Sequence, residues 1–228
     1  MNNDVFESIS QGVDGAYDEE NQRIGEIASE LQRLCSLYEA QSRNCEGNGS
    51  RLEVEQRVAE QYAKSMGMWV PMDDIFNLGV PGPSGNENDT YVSDLSVFKV
   101  NNLLNSGSIS NLLQKVILHN QIFLNTFYKF YGFTGFEGRS IFPILEQKRI
   151  YNAQPATPIE IETYMAALGF TKKNNEGRFA NDIYEVWDLV PRNVLKDKDG
   201  DMYVVDAEIK KFLGLLYFHS ASIMNENI

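Results

Sequence analysis

Several things are scarce in this chain, and each scarcity excludes something. Cysteine occurs twice (Cys35, Cys45) and histidine twice (His119, His219). These four are too scattered to assemble a zinc site. A disulfide between the cysteines is one option; two reduced, structural thiols fit a cytosolic protein better. No apolar run approaches the roughly 18 residues of a membrane span. Residues Met1 to Tyr17 are acidic and polar, unlike a secretory leader. Basic residues are outnumbered, 20 Lys and Arg against 32 Asp and Glu, for a net charge of -12. That balance argues against nucleic acid and anionic membranes as partners, since both need basic surface. Acidic residues are themselves missing from one long stretch: none occurs from Asn101 to Phe136.

What is present is an ordinary globular composition, 43% hydrophobic and 11% aromatic, enough for one good core or two small lobes. The first twenty or so residues have few large apolar side chains and read as a loose lead-in. From Asn21 to about Gln41, Ile24, Ile27, Leu31, Leu34 and Tyr38 recur at helical spacing. This stripe suits a core-facing helix or a homodimer contact. A linker, Asn44 to Ser50, precedes a second helix with Ser50 and Glu53 in capping-box spacing and Leu52, Val58, Tyr62 and Met66 on one side. Gly67 is its stop.

Strands are predicted at Ile75–Val80, Tyr91–Val92 and Val97–Val100, with a turn G-V-P-G-P-S-G carrying Gly79, Gly82 and Gly85. Glycines there would let backbone N–H groups approach a triphosphate. A helix follows over Ser108–Phe123, with His119 as a satisfied core or edge histidine. Two more strands are predicted at Phe127–Phe133 and Ser140–Glu146. Thr157, Pro158 and Glu160 open another helix in capping-box form, with Ile161, Tyr164, Met165 and Leu168 inward and Gly169 at its end. Lys172 to Arg178 is a polar turn.

The most informative stretch runs from Trp187 to Glu208, W-D-L-V-P-R-N-V-L-K-D-K-D-G-D-M-Y-V-V-D-A-E. Asp188 and Asn193 are five apart, and Asp206 comes thirteen residues after Asn193. Between them a strand (Val194, Leu195), an Asp-Gly turn and a returning strand (Tyr203, Val204, Val205) make a hairpin. That hairpin delivers Asp206 beside Asn193. Two carboxylates and an amide at one hairpin end suit phosphoryl transfer: one carboxylate for the acceptor proton, the amide and the other carboxylate for Mg²⁺. An EF-hand reading of Asp197, Asp199, Asp201 and Glu208 fails on Met202, which occupies the position that needs glycine, and on Val204 and Val205, which predict a strand.

These motifs resemble the catalytic loop and metal-binding Asp of the protein-kinase-like superfamily. D-L-V-P-R-N-V-L and G-D-M-Y-V-V-D-A-E are most similar to the short kinase-like domains of polyvalent proteins from phages and mobile elements. The resemblance covers roughly Leu52 to Phe212. It implies ATP and Mg²⁺ as cofactors, Asp188 as catalytic residue, Asn193 and Asp206 as metal ligands, and Lys99 in V-F-K-V as the strand lysine that contacts phosphates. Gly79, Gly82 and Gly85 would form the phosphate loop, with Arg192 as an added phosphate contact, and Phe142–Gln147 the strand and hinge beside adenine. The Ser108–Phe123 helix stands where the family carries a glutamate for the lysine; Gln114 is its nearest substitute, and Glu53, Glu55 and Glu60 are carboxylates that could serve instead. Ala207 and Glu208 stand where Phe-Gly usually follow. The 22 residues after Asp206 leave no room for an activation segment, and Ile209–Tyr217 reads as a terminal helix or strand packed on the hairpin.

The expected fold is therefore α+β: a reduced protein-kinase-like, two-lobed fold with an antiparallel N-lobe sheet and a truncated helical C-lobe, preceded by N-terminal helices. The division expected is 1–49 as acidic lead-in and amphipathic helix and 50–228 as kinase-like domain, with 50–147 the nucleotide lobe and 148–228 the catalytic lobe. The function implied is an ATP- and Mg²⁺-dependent phosphotransferase with an acceptor, a protein among the options, left open. Alternatives are a pseudokinase-like binding or regulatory module and a non-enzymatic phage or mobile-element structural or host-interaction protein. The setting implied is cytoplasmic, in a bacterial host cell if the gene belongs to a phage or mobile element.

Overall fold

A computed structural model describes residues 3–42 and 50–212. The chain forms two compact units, Met1–Tyr151 and Asn152–Ile228. Among the described residues no helix is long and apolar enough to cross a membrane.

The first unit packs three helices on one antiparallel sheet. Helix α1 spans Asn3–Ser42, so helical backbone occupies most of the segment expected as a loose lead-in; no proline occurs before Pro71 to interrupt it. Its stripe Ile24, Ile27 and Leu31 is buried against α2 (Arg51–Ser65) and α3 (Ile109–Ile122). These apolar side chains are thus covered by their own chain rather than offered to a second copy. At roughly 1.5–3 kcal/mol for each large aliphatic side chain fully buried, this stripe ties α1 to the unit. Cys35 is a free thiol, and burial first, then the charges of Glu55 and Glu39, push it up. It is correspondingly unreactive. Cys45 and His219 lie outside the described residues, as does most of the expected linker.

The capping box forms as predicted, Ser50 Oγ accepting from Glu53 N and the Glu53 carboxylate from Ser50 N. The inward face of α2 differs from the expected one: Val54, Val58, Ala59 and Ala63 are buried, while Leu52 and Met66 are exposed. These four buried residues join the core shared with α1, α3 and the sheet. At Gly67, φ is +67°, and the turn it allows lays Met68–Val70 along a later strand through hydrogen bonds to Phe133.

Of the segment expected as a strand at Ile75–Val80, only Val80 is in a strand and most falls in a 3-10 helix, Met72–Leu78. Pro71 fixes its start, and Ile75 and Leu78, three apart, are the buried pair, matching the three-residue repeat of that helix. The sheet has the order β1-β2-β3-β5-β4, all antiparallel, with β1 Val80–Pro81, β2 Asn88–Val92, β3 Ser96–Asn101, β4 Tyr128–Phe136 and β5 Ser140–Lys148. Central β5 is laddered on both sides, by β3 and β4. Residues Phe142–Gln147, expected as the strand and hinge beside adenine, lie within β5.

The second unit contains β6 Ala153–Pro155, helix α4 Pro158–Ala167 and six further strands: β7 Thr171–Lys172, β8 Phe179–Ala180, β9 Tyr184–Trp187, β10 Val194–Asp197, β11 Met202–Val204 and β12 Glu208–Lys211. They form two small sheets, β11-β10-β6 and β12-β9-β8-β7. The Thr157/Pro158/Glu160 start of α4 forms as predicted, with Ile161 and Met165 buried and Gly169 at φ +81°. Strand β12 pairs with β9; of Ile209–Tyr217, expected as a terminal helix or strand packed on the hairpin, the part beyond Phe212 lies outside the described residues. Its backbone needs a ladder partner, and β9 provides the open edge.

Candidate active site

The predicted hairpin of the second unit forms, in the register Val194↔Val204, Leu195↔Tyr203 and Lys196↔Met202. Gly200 at φ +93° closes the turn, and Asp197 Oδ1 accepts from the N–H groups of Asp199 and Asp201 at 2.9 and 3.0 Å. Tyr203 donates its hydroxyl to Asp197 Oδ2 at 3.0 Å; burial first, then this carboxylate, push the phenol up to about 12. Asp197 therefore serves the turn. Among the described residues no three His, Cys, Asp or Glu gather in a way that could hold a metal ion.

A second ladder, unforeseen from sequence, completes the arrangement. β9 and β12 pair with Trp187 opposite Glu208. The chain crosses between the two small sheets twice, at 188–193 and at 205–207, and registered pairs bracket both crossings: Trp187↔Glu208 on one side, Val194↔Val204 on the other. Val205 N donates to Asn193 O at 2.9 Å. Asp188, Asn193 and Asp206 all lie on these two short crossings.

The Asp188 loop is held by its own residues. Val190, Pro191, Arg192 and Asn193 make a turn closed by Asn193 N donating to Val190 O at 2.9 Å, with proline at its favoured second position. Asp188 adopts φ +61°, a left-handed conformation that costs a non-glycine residue about 1 kcal/mol. Arg192 Nη2 donates to Asp188 Oδ1 at 2.7 Å. Asn193 Nδ2 donates to both Asp188 O (2.9 Å) and Oδ2 (2.8 Å). Because both neighbours can only accept, the amide nitrogen must face them, and Asn193 Oδ1 is turned to the other side. Asn193 is 9% exposed, whereas the Asp188 and Arg192 side chains are 41% and 71% exposed.

One distant segment supports this loop. Leu189 N donates to Gly177 O at 3.1 Å. Gly177 sits at φ +77°, and a Cβ there would lie 2.5 Å from Leu189 O. Only glycine permits this backbone-on-backbone contact.

In the first unit, Lys99 lies on β3 opposite Thr90 of β2 and Leu145 of β5. Gly82 N donates to Thr90 O at 2.8 Å, so the glycine turn is the β1–β2 hairpin loop, one strand over from the lysine. A Cβ on Gly82 would lie 2.7 Å from Thr90 Oγ1 and one on Gly79 2.5 Å from the Val92 carbonyl. These two glycines keep the hairpin closed, and Gly85 N donates to Asn88 O at 2.9 Å. The tip of the hairpin is pinned from outside. Glu87, 6% exposed, accepts from Ser106 Oγ (3.1 Å), Asn105 Nδ2 (3.1 Å) and Lys115 Nζ of α3 (3.3 Å).

Lys99 is 7% exposed and donates to Tyr128 Oη at 2.7 Å. Of the carboxylates weighed for it, Glu53 caps α2. Glu55 accepts from Ile109 N and Ser110 N at the start of α3. Glu60 binds Lys64 and Gly138 N. Gln114 is exposed. His119 is buried, its Nε2 3.1 Å from Thr126 O.

A family model described as a serine/threonine/tyrosine kinase found in polyvalent proteins matches residues 53–211. The chain belongs to this family. The match spans α2 through β12, and so includes both the lysine strand and the bracketed crossings, while α1 precedes it. No curated protein matches the chain. Kinase-like function and the reduced α+β kinase-like fold follow from membership. Tyr128, Gly177 and Glu87 escaped sequence reasoning. Gly177 alone left a signal, a glycine within a polar turn, and that signal is common to many turns.

Proposed function

We propose that the chain is an ATP- and Mg²⁺-dependent phosphotransferase. The observation that carries this reading is the pair of ladders bracketing residues 188–193 and 205–207, which keeps Asp188, Asn193 and Asp206 on neighbouring backbone. Asp188 is the catalytic residue. Both its oxygens are tethered, yet each retains a second lone pair, so the carboxylate can orient the acceptor hydroxyl and take its proton. Asn193 Oδ1 and the Asp206 carboxylate are hard oxygen donors of the kind Mg²⁺ prefers, and two protein ligands suffice when phosphates and water supply the rest. Bound there, Mg²⁺ would neutralise charge on the phosphoryl group in flight. Lys99 contacts phosphates, with Gly79 just before β1 and Gly82 in the β1–β2 loop as the glycines of the phosphate loop. Gly85 belongs to the same loop, and Arg192 is the exposed cation available to the phosphoryl group or the acceptor. The acceptor is a protein or a smaller alcohol, met in the cytoplasm.

Incubation with labelled ATP, Mg²⁺ and a bacterial lysate should transfer label, and Asp188→Ala should abolish the transfer. A wild-type chain that labels neither the lysate nor itself would overturn the reading. One observation favours a second reading, a pseudokinase-like binding module: α3 brings no carboxylate to Lys99, since none occurs between Asn101 and Phe136. Calorimetry separates the two, because that module binds nucleotide without turning it over.

A further inference from the structure

Kinases orient the strand lysine with a helix glutamate, which α3 cannot supply. The structure offers a different route from α3 to Lys99. Tyr128, whose hydroxyl accepts from Lys99 Nζ at 2.7 Å, opens β4 and is buried. Its backbone is clasped on both sides by one α3 side chain. Asn120 Oδ1 accepts from Tyr128 N at 2.7 Å, and Asn120 Nδ2 donates to Tyr128 O at 2.8 Å. Asn120 Nδ2 also reaches Asn21 Oδ1 of α1 at 3.0 Å. His119, the preceding residue of α3, packs its ring 4.7 Å from that of Tyr128, centroid to centroid. Lys99 Nζ lies 4.8 Å from the Tyr128 centroid, a separation set by the hydroxyl bond, so stacking on the ring face adds little.

We propose that Tyr128 and Asn120 are positioning residues through which α3 aims Lys99 at the phosphates of a bound nucleotide, an inference that rests on the phosphotransferase reading above. The chemistry differs from that of a carboxylate in one useful respect. A carboxylate itself offsets the ammonium charge; a neutral phenol accepts one of the ammonium's N–H bonds without doing so. Fixing the phenol matters because a lysine stem has many rotamers to lose. The two-point amide clasp removes the freedom of the Tyr128 backbone, and the buried rings remove that of its side chain.

Calorimetry on the full chain, with MgATP and separately with adenosine, tests this. Tyr128→Phe keeps the ring and removes one oxygen. It should weaken MgATP binding about tenfold, the worth of one hydrogen bond to a charged group, and leave adenosine binding unchanged. The Tyr128→Phe/Lys99→Met double variant should bind MgATP no more weakly than Lys99→Met alone, since the hydroxyl acts only through the ammonium. Asn120→Ser, which loosens the clasp but keeps the hydroxyl, should show the same selective loss in smaller measure and stands in if Tyr128→Phe does not fold. Wild-type binding of MgATP that neither variant weakens, equal loss for MgATP and adenosine, or additive losses in the double variant would each overturn the relay alone. A wild-type chain that binds no MgATP would remove the phosphotransferase reading and the relay together.

Discussion

The candidate residues of the first unit and those of the second are held by opposite means. Around Asp188 every side-chain tether comes from within five residues: Arg192 and Asn193 grip the carboxylate, and Pro191 shapes the turn between them. Asp188 and Arg192 are charged and open to water, whereas the Asn193 amide is buried. Around Lys99 nothing is local. Its phenol partner is 29 residues away on another strand, a helix amide fixes that phenol, and the whole cluster is buried. The glycine hairpin follows the second pattern, its tip pinned by Glu87 to Asn105, Ser106 and Lys115. A local site survives as long as its own few residues remain. A packed one depends on the integrity of several elements at once.

Three changes would break or sharpen that contrast. The largest effect should come from Lys115→Met, which leaves the Glu87 carboxylate buried without its cation. Removing one partner of a buried ion pair costs about 3 kcal/mol. Denaturant unfolding should show that loss, and the hairpin tip should exchange its amide hydrogens faster; a change within error would mean that the tip is held by the neutral donors alone. Next is Gly177→Ala, aimed at the backbone contact between Gly177 and Leu189 under the Asp188 loop. A Cβ 2.5 Å from Leu189 O forces the loop to move, and displacement of a reacting group by about 1 Å costs about 100-fold in rate. Turnover should fall with KM for ATP little changed. If turnover is kept, the loop is fully self-supporting.

The smallest effect concerns acid. Lys196 donates to Glu160 at 2.6 Å, tying β10 to the start of α4. That bond, helped by the Thr157 N–H and hydroxyl, holds the Glu160 carboxyl down at about 2 from an ordinary 4.5. A carboxyl depressed in the folded state contributes stability that is fully present above pH 4.5 and fades as pH falls through about 2. Thermal unfolding followed across that window should show an acid limb that Glu160→Gln flattens. The pair is exposed to water and salt, so the change should be slight. An unaltered acid limb would place the sensitivity in other carboxylates.

Residue by residue, legibility follows sequence distance. The capping boxes at Ser50 and Thr157, the β10–β11 hairpin and the spacing of Asp188 and Asn193 could all be read, because each lies within one turn or one hairpin. The 3-10 helix at Met72–Leu78 was misread, since a short apolar run fits a strand equally well until its neighbours are known. The inward face of α2 was misjudged because Val54, Val58, Ala59 and Ala63 are selected by the core shared with α1, α3 and the sheet. The β9–β12 ladder could not be foreseen at all; β12 had two edges to choose from, and its own residues favour neither.

By itself, then, the sequence determined the kinase-like motifs and the elements that bear them, since these depend on φ/ψ preferences, caps and alternation over a few residues. Only the tertiary structure decided what faces Lys99, what pins the glycine hairpin and what buttresses Asp188. Those partners are chosen by burial: a lysine enclosed by packing bonds to polar groups that the fold encloses with it, and the hydroxyl of Tyr128 is such a group.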